Sequence, residues 1–76
     1  MRRDIQNYVK GRLRELRSKR AQKECYNELR IKFNDGQLGP YGSALLESLL
    51  MTAEAEDNVR LVRFSDQGKP YYAEWK

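Results

Sequence analysis

A chain of 76 residues has room for one domain with a thin core. An apolar share of 39%, including 11% aromatic residues, is too high for a disordered chain, although 34% of the residues are charged. With no histidine and one cysteine, Cys25, the sequence excludes a His-based acid–base pair, a zinc site and an internal disulfide.

The net charge of +4 is unevenly spread. Residues 1–23 hold nine basic side chains against Asp4 and Glu15, a surplus of seven positive charges; residues 24–76 hold six basic and nine acidic ones, a deficit of three. A positive end and a mildly negative end bear on partners, not on fold. Met1 is followed by Arg2 and Arg3 with no apolar run of signal or membrane-spanning length, so a cytoplasmic protein without a membrane partner is expected.

In chain order, the first predicted helix covers residues 4–17. Ile5, Tyr8, Val9, Leu13 and Leu16 recur at helical spacing, and Asp4 stands where the helix dipole favours an acid. Beside this apolar face Arg3, Lys10, Arg14 and Arg17 project within roughly 60° of one another at about 100° per residue. Such a row matches a run of phosphates or an acidic protein surface, and the same row also serves as a solvated helix face; Arg12, Lys19, Arg20 and Lys23 add charge without clear alignment, Arg20 being counted among the candidate nucleic-acid contacts. Neutralising about five phosphates would give affinity a log–log salt slope of roughly −4.5.

The phase then changes. Ser18 suits the N-cap of a second helix over 19–33, with Ala21, Cys25, Leu29 and Phe33 on its apolar face. Its tail stays open between helix and short strand, because Leu29, Ile31 and Phe33 alternate with Arg30 and Lys32. Cys25 is expected to be a buried, inert thiol. Asn34, Asp35 and Gly36 signal a turn.

Pro40 after Gly39 opens a third helix, ending near residues 57–58. Leu45, Leu46, Leu49, Leu50 and Ala53 form its buried stripe, and Tyr41, Ala44, Ser48, Met51, Thr52 and Ala55 its outward face. Residues 59–64 and 71–75 read as the strands of a hairpin joined by the loop 65–70, with Tyr71, Ala73 and Trp75 facing the core and Tyr72 facing away. The fold class is therefore α+β: three helices and a C-terminal β-hairpin, in one domain over residues 1–76.

This order resembles a winged helix-turn-helix DNA-binding domain. The stripe Leu45, Leu46, Leu49 and Leu50 and the closing hairpin with its polar tip, Asp66 to Lys69, carry the resemblance. In that family the third helix usually enters the major groove and the hairpin wing touches the backbone or minor groove. The resemblance implies that Tyr41, Ser43 and Ser48 lie near bases, and Arg63 and Lys69 near phosphates. No Lys or Arg occurs between Lys32 and Arg60, and the third helix carries Glu47, Glu54 and Glu56, so the first helix is expected to supply most of the attraction for nucleic acid.

Catalysis finds little footing. Gly36, Gly39 and Gly42 match neither nucleotide-binding motif, and Glu54, Glu56 and Asp57 read as solvated carboxylates at a helix end. No cofactor and no metal are expected. The leading expectation is a transcriptional regulator or architectural factor on duplex DNA. A protein-interaction module of the phage or plasmid kind, meeting an acidic partner, is the alternative. RNA or single-strand binding through Tyr72 is a third, and a homodimer stays open.

Overall fold

The computed structural model describes residues 2–64 and 71–76. The loop 65–70, and with it the expected wing tip and Lys69, lies outside the described residues, as does Met1. Three helices, α1 (Arg3–Glu15), α2 (Lys19–Asn34) and α3 (Pro40–Ala55), precede an antiparallel pair of strands, β1 (Val59–Arg63) and β2 (Tyr72–Trp75). The chain is thus an α+β protein with a C-terminal hairpin. Among the described residues no helix is long and apolar enough to cross a membrane.

α3 is the hub. Its stripe Leu45, Leu46, Leu49, Leu50 and Ala53 is 0–2% exposed. One side of it meets α1 through Ile5, Val9 and Leu45. The other side joins Tyr26 of α2 and Val59, Tyr71 and Ala73 of the hairpin. Burying the four leucines alone contributes on the order of 1.5–3 kcal/mol each before the entropy of ordering them is subtracted.

The ends of the helices have local causes. Ser18 caps α2, its Oγ accepting from the Ala21 N–H at 3.1 Å. The helix then continues to Asn34, which excludes the strand alternative for residues 29–33. It closes with the Gly36 N–H on the Phe33 carbonyl and the Gln37 N–H on the Lys32 carbonyl, with Gly36 at φ +72°. α3 ends the same way: the Asp57 N–H reaches the Glu54 carbonyl, the Asn58 N–H the Ala53 carbonyl, and Asp57 takes φ +60°. The second turn therefore has an aspartate where glycine is at ease.

The helix α1 is shorter than expected. It stops at Glu15, and Leu16 leaves the helical region at φ −101°, ψ +59°. On α2 the buried face is also rotated from the expected one. Gln22 and Tyr26 are its buried residues, whereas Ala21, Cys25, Leu29 and Phe33 are only half-buried. The reason is that α2 has two neighbours, α3 and the hairpin. Tyr26 lies against the hairpin, its hydroxyl oxygen accepting the Ala73 N–H at 3.0 Å.

Gln22 is 0% exposed yet fully engaged. Its Nε2 donates to the Leu16 carbonyl at 3.0 Å and to Glu56 Oε1 at 2.7 Å, and its Oε1 accepts from Asn58 Nδ2 at 2.9 Å. One side chain thereby ties the end of α1 to the end of α3. Glu56, expected to be merely solvated, is one of the partners.

In the hairpin Val59 faces Trp75, Val62 faces Ala73 and Arg63 faces Tyr72, with an irregularity between Val59 and Leu61. Arg60 is the extra residue of that bulge. It lets Val59 and Val62, three apart, both turn inward, which strict alternation forbids. Leu61, Arg63, Tyr72 and Glu74 are left on the outer face.

Candidate nucleic-acid interface

Some of the basic side chains of the first 23 residues are paired and others, Lys23 among them, make no ion pair among the described residues. Arg2 pairs with Asp4 at 2.8 Å, Arg12 with Glu15 at 2.9 Å and Arg20 with Glu24 at 3.2 Å. These pairs are exposed and worth little in stability, but each offsets a cation locally. Arg3, Lys10 and Arg14 are all exposed and make no ion pair among the described residues. They project within about 40° of one another on α1. At about 1.5 Å per residue they span roughly 16 Å of helix axis.

Arg17 is not the fourth member of this row. The helix has ended, and its Nε turns back to the Arg14 carbonyl at 3.0 Å, capping the last turn of α1. Arg20 lies on α2, already paired with Glu24. Lys19 reaches from α2 to the Lys76 carbonyl at 2.8 Å. The expected row of four is a row of three.

The residues that the resemblance placed near bases sit differently from one another. The Tyr41 hydroxyl donates to Asp4 Oδ2 at 2.5 Å, and its ring meets Tyr8 edge-on at 5.4 Å between centroids. This contact ties the N-terminus of α3 to that of α1. Arg2 first, and Tyr41 second, hold the Asp4 carboxyl down at about 2, and the same bond pushes the Tyr41 hydroxyl up. Ser43 and Ser48 are half-buried. The face of α3 expected to point outward is partly covered: Ala44 packs against the Ile5, Val9 and Leu45 cluster, and Thr52 is half-buried. The exposed positions on its outer side are Glu47, Met51, Glu54 and Ala55. A helix with two carboxylates outward does not approach phosphates cheaply, because like charges repel at close range.

On the hairpin Arg63 is exposed directly opposite Tyr72. The Tyr72 hydroxyl donates to Glu74 Oε1 at 3.2 Å, and that bond, with some desolvation, raises its pKa. Neighbouring Tyr26 carries Arg30 over its ring, 5.8 Å from the centroid. Sequence reasoning did not single out Arg30; its position one turn beyond Tyr26 was the available signal. Cys25 is half-buried, and burial pushes its thiol pKa up, which keeps it a poor nucleophile. Among the described residues no cluster of His, Cys, Asp and Glu is arranged to hold a metal ion.

No protein family, curated protein or solved structure is matched by the chain.

Proposed function

We propose that this chain is a small DNA-binding protein of winged-helix type, a regulator or architectural factor, that grips the phosphate backbone through the cationic flank of α1. The observation that supports this reading is the trio Arg3, Lys10 and Arg14: ordered on one helix, exposed, and without an acidic partner among the described residues. Arginine forks two hydrogen bonds to a phosphate, and lysine adds a point charge. The order of three helices and a hairpin supports the winged-helix reading. The carboxylates on the outer face of α3 argue for a dock in which α1, not α3, leads.

Fluorescence anisotropy with a labelled duplex of about 20 base pairs, from about 50 to 200 mM salt, tests the reading. Three neutralised phosphates give a slope near −2.7, so a fourfold rise in salt weakens binding about 40-fold. Lys10→Glu with Arg14→Glu removes the binding. Failure to bind at about 50 mM salt, or a double reversal that leaves affinity unchanged, overturns the proposal.

A second reading, a protein-interaction module, rests on Met51, which stands 55% exposed between Glu47 and Glu54. Exposed methionine is a feature of adaptable protein contacts. Recovery of a protein and no nucleic acid in a pull-down, abolished by Met51→Lys, would favour it.

A further inference from the structure

The outer face of the hairpin has a composition that its packing does not require. Tyr72 is 40% exposed, and its hydroxyl is held at the edge by Glu74. Its direct neighbour across the strands is Arg63. Arg63 is exposed and makes no ion pair among the described residues. The two strands therefore set a 40% exposed tyrosine beside an exposed guanidinium group that has no acidic partner among the described residues.

From this placement we infer that the hairpin's outer face seats an unpaired base of a nucleic-acid strand. Tyr72 is the stacking ring, and Arg63 holds a flanking phosphate. The inference rests on the reading of the chain as a nucleic-acid binder and adds a ligand class to it: single-stranded or locally opened strands. The chemistry is that of aromatic stacking beside a cationic track, in which every base offers a π-face and every nucleotide a phosphate. Glu74 plays two parts. It fixes the ring, and it places a negative charge beside the strand, which limits affinity.

The test uses the full chain with two probes, a labelled dT12 oligonucleotide and a blunt duplex of about 20 base pairs, at about 50 mM salt. Tyr72→Ala is expected to weaken dT12 binding tenfold or more while duplex affinity stays within about twofold. Tyr72→Phe, which retains the ring, stays within about threefold on dT12. Arg63→Ala lowers the dT12 salt slope by about 0.7, and Glu74→Gln tightens binding. Far-UV circular dichroism establishes that each variant is folded, and the Phe variant separates stacking from loss of structure. If Tyr72→Ala leaves dT12 affinity unchanged while the double reversal on α1 still abolishes duplex binding, the hairpin inference falls and the α1 reading stands. If wild type binds dT12 and Tyr72→Ala does not, but the duplex is never bound, the α1 reading falls alone. Binding of neither probe overturns both.

Discussion

Replacing Gln22 with leucine removes a polar node while nearly preserving volume. Three hydrogen bonds go: one to the Leu16 carbonyl, one from Asn58 Nδ2 and one to the Glu56 carboxylate. Neutral bonds contribute about 1 kcal/mol each and a charge-assisted one about 1.5–3, roughly 4–5 kcal/mol together. The buried leucine returns about 1.5–2 kcal/mol of apolar transfer, leaving a net loss of about 2–3 kcal/mol. A domain of this size has about 3–5 kcal/mol in total, so the variant retains a minor part of its stability. Urea unfolding followed by Trp75 fluorescence and far-UV circular dichroism reads the effect. With a slope of about 1 kcal/mol per molar, the midpoint falls by about 2–3 M and the slope holds. A leucine variant as stable as wild type would refute the assignment of Gln22 as the tie between the ends of α1 and α3, and leave the apolar core as the sole fastening.

Two glycine substitutions should part company: Gly11→Ala, with open space around the new methyl, stabilises by about 1 kcal/mol, whereas Gly42→Ala runs into Cγ and Cδ1 of Leu38 and destabilises by about 1 kcal/mol, both read by urea midpoints. At the two left-handed turns, Asp57→Gly raises the melting temperature by several degrees and Gly36→Ala lowers it, since a side chain at positive φ costs about 1–2 kcal/mol, less for aspartate. The Asp4 carboxyl, held at about 2 from an ordinary 3.8, contributes stability that is present above pH 4 and is lost as pH falls toward 2. Side-chain carboxyl NMR of Asp4 checks this, and Tyr41→Phe should move its midpoint upward; an unshifted midpoint would deny the hydroxyl its part.

The leucines of α3 were legible because spacings of 1, 3, 1 and 3 residues from Leu45 to Ala53 leave one way to bury them all. Ser18 announced α2 because a hydroxyl before a helical run satisfies an N–H that nothing local can. Gln22 was illegible. Its worth depends on Glu56 and Asn58, 34 and 36 residues away, and a glutamine beside apolar neighbours carries no mark of such partners. The bulge at Arg60 was hidden likewise, since Val59 and Val62 turn inward together only once Trp75 and Ala73 face them. Of the candidate site, Arg3, Lys10 and Arg14 follow from helical phase. The withdrawal of Arg17 does not, because periodicity carries a helix past the residue at which its backbone turns.

The bond from the Ala73 N–H to the Tyr26 hydroxyl reaches beyond local packing. A two-stranded sheet has two open flanks, and this phenol occupies a donor that an incoming strand would need on one of them. On the other, the kink at Arg60 and the charge of Arg63 spoil a straight, neutral border. The hairpin is therefore a poor template for the addition of a further strand.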